Sequence, residues 1–264
     1  MKRIFTPDVR ERVFPIFLID VEERRPKTET AQFLGTGFFI SSKGDAITAA
    51  HVIPRHDAMR ESRVAVALLI IDGREVWSQI SHAIGLIEPD IAIIKVNAED
   101  TKFYHLNAHE VYLGQDVTVI GIPKHQVWNS GLEIRVLKGC VTGAYGQLEL
   151  NFSVPAGMSG SPVLVSNQVV GYATGRVRSE QVEEEIEELV KVSDNREEIH
   201  IRTASSIVHY GIAHSLFAHK DRYDEILRGK SLLEFINDRI GEAYPSIERD
   251  FQGLSPSPAP HVKR

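Results

Sequence analysis

Residues 154–163 read Val-Pro-Ala-Gly-Met-Ser-Gly-Ser-Pro-Val and place Ser159 between Gly157 and Gly160. Glycine adopts backbone torsions that a Cβ forbids, so the chain can bend tightly around this serine and turn its N–H groups inward. Apolar, strand-like residues follow from Val163. The run suits an exposed nucleophilic serine, although turns rich in glycine and serine commonly have no catalytic role.

A nucleophilic serine requires a base, because its hydroxyl reacts poorly near neutral pH, and the base requires an orienting partner. His51, one of eleven histidines, follows two strand-like runs and comes directly after Ala49 and Ala50. Small residues at these two positions allow the backbone to pack closely behind the imidazole ring. A histidine with a purely structural role is the alternative interpretation.

Asp90 is the best candidate for the orienting acid, because it opens the apolar run 91–96. A carboxylate in such surroundings is costly to bury unless it is paired, and an imidazole N–H is one suitable partner. An aspartate that caps a turn after Pro89 is the alternative. Glu88, Asp72 and Asp57 are weaker candidates because they lie in more polar, turn-like stretches.

Short β-like runs separated by Gly, Pro, Asn, Asp or Ser dominate residues 13–175. We predict strands at residues 33–40, 64–71, 91–96, 116–122, 133–141, 147–152 and 163–173. One helical turn is expected over residues 50–56, and strand-like runs recur at residues 200–204 and 208–213. Many strands without intervening helices indicate β-barrels or a sandwich.

The last third of the chain has a different composition. Six glutamates fall between Ser179 and Glu188, with Val182, Ile186, Leu189 and Val190 at helical spacing. This pattern predicts an amphipathic acidic helix or a solvated insertion. Apolar periodicity predicts helices over residues 215–227 and 231–243, and a Pro/Ser-rich end predicts a disordered tail.

The composition excludes several classes of function. The 264 residues carry a net charge of −6, which gives no reason to expect nucleic-acid binding. No run has the length and apolarity of a membrane span, and the N-terminal residues do not resemble a signal peptide. The single cysteine, Cys140, excludes an intrachain disulfide. It favours a reducing compartment, so we expect a cytoplasmic protein.

The order His51, Asp90, Ser159 resembles the chymotrypsin-like serine peptidases. The resemblance rests on three motifs and covers roughly residues 13–230: Thr48-Ala49-Ala50-His51, Asp90-Ile91-Ala92-Ile93-Ile94-Lys95, and Gly157-Met158-Ser159-Gly160-Ser161-Pro162. It implies a mainly β protein with two six-stranded antiparallel barrels and a helical C-terminal extension. In domain terms it implies a peptidase domain over residues 1–230 with an acidic insertion near 179–199, a packed helix over 231–250 and a tail over 251–264.

The resemblance also implies the roles of the residues. His51 is expected to act as general base and then general acid, Asp90 to orient it, and Ser159 to attack the scissile carbonyl. The N–H groups of Gly157 and Ser159 are expected to bind the oxyanion. A protein or peptide substrate is implied, and neither a metal nor another cofactor is expected.

Two details indicate which branch of the superfamily is closest. Met158 stands where digestive members carry an aspartate that pairs with a newly cut N-terminus, and a thioether cannot form that ion pair. The absence of disulfides and the run Tyr210-Gly211-Ile212-Ala213 before a predicted helix resemble compact bacterial and Deg-type peptidases. The residues after Ala213 are too few for the PDZ domain that usually follows in Deg enzymes.

The expected substrate pocket follows from the same resemblance. Ser153 would lie at the floor of the primary specificity pocket, and Ala173, Thr174, Gly175 and Arg176 would form a wall that pairs with substrate. No acid stands at the floor position, so a strict preference for Lys or Arg before the cut is not expected. A small or medium apolar residue is our prediction, and Arg176 could instead favour an acidic one.

Other readings compete with an active endopeptidase. The same fold could serve as a latent or non-catalytic scaffold for a regulatory protein partner, with residues 179–198 or the C-terminal helices gating the cleft. An esterase of the α/β-hydrolase type is disfavoured because its acid and histidine follow its serine. A zinc peptidase is disfavoured because no His-Glu-x-x-His motif occurs, and Cys140 reads as a structural thiol.

Overall fold

A computed structural model describes residues 8–20, 30–54, 63–86, 89–106, 110–124, 133–145, 147–193 and 196–216. These residues form twelve strands and two short helical segments. In chain order they are α1 (Asp8–Arg12), β1 (Val13–Asp20), β2 (Gln32–Phe39), β3 (Asp45–Ala49), the 3₁₀ turn η1 (Ala50–Val52), β4 (Arg63–Ile71), β5 (Arg74–Leu86), β6 (Ile91–Val96), β7 (Asp116–Gly121), β8 (Arg135–Tyr145), β9 (Gln147–Leu150), β10 (Pro162–Val165), β11 (Gln168–Ser193) and β12 (Arg196–Ser215).

The strands close into two antiparallel barrels of six strands each. The first barrel has the order β1-β2-β3-β6-β5-β4 and the second the order β10-β11-β12-β9-β8-β7. Each barrel is built from apolar runs with exposed or half-buried ends, such as β4, whose central five residues are all buried. The chymotrypsin-like double barrel expected from the sequence is therefore confirmed.

Apolar side chains fill the interior of each barrel and also pack between the two barrels. Separate clusters occupy the first barrel, around Ile16 and Ile94, and the second barrel, around Val119 and Leu150. A further cluster combines residues of both barrels: Phe38, Ile47, Ile91, Ile120, Leu164 and Tyr172. This shared core fixes one barrel against the other, so a group on one barrel can position a group on the other.

The prediction of one strand over residues 163–173 is wrong, because the chain reverses in the middle of it. Ser166 and Asn167 have φ values of 49° and 67°, and Val165 pairs with Gln168. Two consecutive residues with positive φ form the tight hairpin turn that matches the twist of the flanking strands. The turn separates β10, which follows the candidate nucleophile, from β11.

Two strands of the first barrel, β1 and β5, were not predicted from the sequence. Strand β1 pairs with both β2 and β4. Strand β5 follows an Asp72-Gly73 turn with φ values of 49° and 75°, and Ile71 pairs with Arg74 across it. Asp-Gly between apolar runs is a strong hairpin signal and could have been used.

The acidic segment is a β-ribbon, and the helix predicted for it is wrong. Strands β11 and β12 continue beyond the barrel as one antiparallel ladder, from Val177 opposite Gly211 to Ser193 opposite Arg196. We call residues 177–211 the acidic ribbon. Between Ser179 and Glu198 nine acidic and two basic residues give a formal charge of −7, against −6 for the whole chain. The high helix propensity of glutamate is a weak preference that a continuing strand ladder overrides.

The predicted C-terminal helices and tail, at residues 217–264, lie outside the described residues. Ser215 ends β12 and Leu216 lies in a turn that follows it. In the described part of the chain, no helix has the length and apolarity needed to cross a membrane.

Replacement of Ser161 by alanine tests whether its buried, unpaired hydroxyl lowers the stability of the second barrel. Ser161 is 0% exposed, and its Oγ has no hydrogen-bond partner among the described residues. Removal of an unsatisfied buried hydroxyl is neutral or stabilising, so we expect the free energy of unfolding to stay constant or rise by up to about 1 kcal/mol. Chemical denaturation measures this change.

The matched control is Ser78→Ala in the first barrel. Ser78 Oγ donates a hydrogen bond to the carbonyl oxygen of Asn97 at 2.7 Å, so this variant loses a bond that is made. It should lower the free energy of unfolding by about 1 kcal/mol. Equal destabilisation by Ser161→Ala and Ser78→Ala would contradict the expectation that only Ser78→Ala loses a hydrogen bond.

Candidate active site

The ladder between β3 and β6 brings His51 to Asp90. Ala49, the last residue of β3, pairs with Ile91, the first residue of β6, and the two strands are antiparallel. The next residue beyond each strand end therefore lies at the same edge of the barrel. There the chain turns into η1, and the N–H of Ala50 donates to the carbonyl oxygen of Asp90 at 2.9 Å.

The carboxylate of Asp90 binds His51 with both oxygens. Oδ1 accepts the backbone N–H of His51 at 3.0 Å, and Oδ2 lies 2.8 Å from Nδ1 of the ring. A carboxylate only accepts hydrogen bonds, so Nδ1 carries the proton, and in the neutral imidazole Nε2 is then the unprotonated nitrogen. The side chain of Asp90 is 11% exposed and that of His51 is 46% exposed. The buried carboxylate thus fixes the tautomer of a half-exposed imidazole ring.

Asp90 adopts an uncommon backbone conformation to make these bonds. Its φ is 63°, in the left-handed region that aspartate tolerates better than most residues. This conformation lets the carbonyl and both carboxylate oxygens face residues 50 and 51. The neighbouring Pro89 is held from the second barrel, because the hydroxyl of the buried Tyr172 donates to its carbonyl oxygen at 2.6 Å.

Every carbonyl from Ala156 to Ser159 accepts a backbone or side-chain hydrogen bond. The donors are Lys124 N for Ala156 O at 2.8 Å, Thr36 Oγ1 for Gly157 O at 2.9 Å, Ser161 N for Met158 O at 3.0 Å, and Thr36 N for Ser159 O at 2.9 Å. The N–H groups of Gly157 and Ser159, by contrast, have no acceptor among the described residues. The loop is therefore fixed through its carbonyl groups, while these two N–H groups stay without a partner among the described residues.

Positions 157 and 160 require glycine for two reasons, a positive backbone φ and a lack of room for a Cβ. Their φ values are 95° and 85°. A Cβ on Gly157 would lie 2.5 Å from Lys124 N, and one on Gly160 would overlap Thr36 O and lie 2.9 Å from Ala49 N. The loop thus packs directly against the end of β3, two residues before His51.

Ser159 is buried in this loop, and its hydroxyl donates to the carbonyl oxygen of Thr174 at 3.0 Å. It lies against Gly175, whose backbone comes close enough that a Cβ there would overlap Ser159 Oγ. The structure therefore joins Ser159 to the predicted pocket wall. The hydroxyl is directed to Thr174 and not to His51.

The pocket wall is interrupted by a bulge in β11. Ala173 pairs with Ala213 and Val177 with Gly211, so Thr174, Gly175 and Arg176 stand opposite the single residue Ile212. A bulge of this kind removes residues from the ladder and leaves their backbone groups for another partner. Ser153, the predicted pocket floor, is exposed just beyond β9.

Two residues at the site had no role assigned from the sequence. Thr36 lies in the Gly35-Thr36-Gly37 run of β2, and Tyr172 lies in β11; each reaches across to the other barrel. The sequence shows a threonine between two glycines but not its partner, and nothing in the sequence connects Tyr172 with Pro89. Among the described residues, no group of three or more His, Cys, Asp or Glu side chains is placed to hold a metal ion.

Comparisons of this chain with protein families and with known proteins point to the same family. The profile of the trypsin-like peptidase domain matches residues 35–171, just over half of the chain. An uncharacterized protein, y4bJ, of Sinorhizobium fredii is 30% identical over 58% of this chain and 23% of its own length. A probable periplasmic serine endoprotease, DegP-like, of Chlamydia trachomatis is 28% identical over 59% of this chain and 31% of its own length. The chain thus spans about a quarter to a third of these relatives.

Solved structures share the fold. The crystal structure of Deg5 superposes with a TM-score of 0.50 at 20% identity, and the match covers 62% of this chain and 80% of that one. This likeness is consistent with the two barrels described above.

Replacement of Gly160 by alanine tests how tightly the loop is packed. We expect a loss of more than about 2 kcal/mol in the free energy of unfolding, because backbone strain and overlap with the first barrel add together. Gly73→Ala is the matched control, since Gly73 also has a positive φ but nothing within 4 Å of its Cβ position. It should cost only about 1 kcal/mol. Equal losses in urea denaturation would show that the predicted overlap is absent.

Proposed function

Because this chain belongs to the family of trypsin-like peptidase domains, we propose that it is a serine endopeptidase that acts through His51, Asp90 and Ser159. Family membership supports a serine protease in general, and the roles of the three residues are the further step. The observation that carries this step is the hydrogen bond between His51 Nδ1 and Asp90 Oδ2 at 2.8 Å. The pair lies at the strand edge against which the loop of Ser159 packs.

In the proposed reaction, the hydroxyl of Ser159 turns from Thr174 towards Nε2 of His51. Ser159 Oγ attacks the scissile carbonyl carbon while its proton passes to His51, which becomes an imidazolium beside Asp90. The imidazolium then protonates the leaving amine, the C–N bond breaks, and an ester on Ser159 remains. A water molecule then loses a proton to His51 and attacks the ester carbonyl carbon. His51 returns that proton to Ser159 Oγ as the ester C–O bond breaks and the carboxylic acid product leaves.

The oxyanion of each tetrahedral intermediate would be bound by the N–H groups of Gly157 and Ser159. Both donors lack an acceptor among the described residues, and the carbonyls of the surrounding peptides are already occupied. Donors that are oriented in advance need no reorganisation during the reaction. Loss of one such donor typically costs about 10²–10³ in turnover.

The bulge in β11 supports a place for the substrate strand. Thr174, Gly175 and Arg176 are released from the β12 ladder beside Ser159, so their backbone groups can pair with an extended peptide. We assign Ala173 to the wall of the pocket and Ser153 to its floor. Without an acid at the floor, the residue before the cut is proposed to be small or medium and apolar.

The alternative function is a latent or non-catalytic binding scaffold. The observation that favours latency is that the Ser159 hydroxyl is held by Thr174. A regulatory protein partner would then be needed to turn it towards His51. A cytoplasmic location remains our proposal on the strength of the single cysteine, whereas the DegP-like relatives are named periplasmic.

Fluorophosphonate labelling tests the nucleophile. The purified protein should acquire one covalent label, which peptide mass spectrometry locates on Ser159, and Ser159→Ala should remain unlabelled. Asp90→Asn should label about 10⁴-fold more slowly, because the amide no longer fixes the reactive tautomer of His51.

Ser161→Ala is the matched control, since it removes a neighbouring hydroxyl and should keep the label. Labelling of wild type only in the presence of a cell extract would favour the latent form. Absence of any label on Ser159 under both conditions would reject the peptidase proposal.

We also propose that the acidic ribbon restrains the cleft. The ribbon grows directly out of the Thr174–Arg176 bulge, so a change in the ribbon acts on the strand that contacts Ser159. Deletion of residues 180–198 alone would leave part of β12 unpaired. The better variant replaces residues 183–205 with Asn-Gly, which joins the paired residues Val182 and Ser206 through a tight turn.

The shortened ribbon should hydrolyse a small ester about tenfold faster, equivalent to removal of a restraint worth roughly 1.4 kcal/mol. A full-length variant with its six glutamates between residues 180 and 188 changed to glutamine separates the effect of charge from that of length. Unchanged initial rates for the shortened ribbon would contradict the restraint.

A further inference from the structure

We propose that Thr36 of the first barrel is a positioning residue for the oxyanion-binding segment 157–159 of the second barrel. This inference rests on the proposed peptidase function and adds a residue that none of the three motifs contains. Thr36 is 0% exposed and lies in β2, across the boundary between the barrels.

All polar groups of Thr36 are used, and two of them hold the segment. Its N–H donates to Ser159 O at 2.9 Å, and its hydroxyl donates to Gly157 O at 2.9 Å. The hydroxyl oxygen also accepts the N–H of Ile122 at 3.2 Å, and the carbonyl oxygen accepts the hydroxyl of Thr48 at 2.7 Å. The hydroxyl proton is therefore fixed in direction, because the N–H of Ile122 occupies the acceptor side.

The carbonyl of Thr36 is bound from β3, the strand that leads to His51. The N–H and C=O of a strand residue point to the same side, and the N–H of Thr36 donates to Ser159. On that side the carbonyl oxygen accepts the hydroxyl of Thr48 at 2.7 Å. Thr48 lies in β3, which ends two residues before His51, so this bond ties Thr36 to the strand that carries the candidate base.

The side chain matters because the segment it holds begins with a glycine. Gly157 has a φ of 95°, and a glycine at this position can rotate into other conformations at little cost. Rotation of its peptide would redirect the neighbouring N–H groups away from a bound oxyanion. The Thr36 hydroxyl restrains the carbonyl of that residue, while Thr36 N restrains the carbonyl of Ser159 at the other end.

The test compares three substitutions at Thr36. Thr36→Val keeps the shape but removes the hydroxyl, Thr36→Ser keeps the hydroxyl, and Thr36→Cys keeps a weak donor should the valine variant fail to fold. Rates are measured with a peptide ester and divided by the number of sites that titrate with a fluorophosphonate. We expect Thr36→Val to lower kcat about 10–100-fold with KM within about twofold, since misplacement of a catalytic group by 1 Å can cost about 10².

Affinity for a peptide boronate, which forms a tetrahedral adduct, should fall by the same factor as kcat. Thr36→Ser should recover most of the activity, and Thr36→Cys should lie between the two. Ser78→Ala removes a hydrogen bond to Asn97 in the same barrel that does not involve the segment. It should keep the wild-type kcat and so measures the effect of lost stability alone. A kcat for Thr36→Val equal to that of Ser78→Ala would overturn the inference.

A second measurement separates this inference from the proposed function. The amide ¹H–¹⁵N signals of Gly157 and Ser159 should shift in Thr36→Val, shift less in Thr36→Ser, and stay in place in Ser78→Ala. If the wild type is inactive but the Thr36 variants still show these shifts, the peptidase proposal is rejected and the positioning role is kept. Unshifted signals in Thr36→Val would overturn the positioning role whatever the activity.

Discussion

The hydrogen bonds between Thr36 and the loop of Ser159 cross the boundary between two barrels that are otherwise separately closed. No strand of the first barrel pairs with a named strand of the second among the described residues. The candidate site, however, takes His51 and Asp90 from one barrel and Ser159 from the other. Its geometry therefore depends on the shared apolar core and on the few polar contacts across the boundary, of which Thr36 and Tyr172 supply those nearest the site.

Each barrel also prepares its own part of the site. In the first barrel, a strand register sets Asp90 next to His51, and an uncommon φ lets three oxygens of one residue face a single turn. In the second barrel, the carbonyls of residues 156–159 all accept hydrogen bonds, whereas the N–H groups of Gly157 and Ser159 have no acceptor among the described residues. Both arrangements use backbone conformations with positive φ, at Asp90 in the first barrel and at Gly157 and Gly160 in the second. The torsional cost of such a conformation at a residue with a side chain, such as Asp90, persists only where the surrounding structure holds the residue in place.

The sequence was sufficient for the fold class and for the His51–Asp90 contact, because both follow from apolar strand runs and from the motifs that the resemblance matched. The prediction of secondary structure failed at two places. At the acidic segment, glutamates at helical spacing favoured a helix over the strand that pairs with residues 200–213. At Ser166-Asn167, a turn inside an apolar run was not recognised. The contacts of Thr36 and Tyr172 could not be predicted, since they depend on how two barrels meet and no local pattern encodes that geometry.

The hydrogen bond from Ser159 to Thr174 has a consequence for kinetics. Under the mechanism proposed above, the observed rate would be the intrinsic rate multiplied by the fraction of molecules in which the hydroxyl has left that carbonyl. A peptide strand that paired along the bulge would bring N–H groups to the same acceptor and weaken its hydrogen bond with the hydroxyl. Peptide binding and release of the nucleophile are then thermodynamically linked, and the linkage is reciprocal. Short esters that cannot pair with the bulge would lack this coupling.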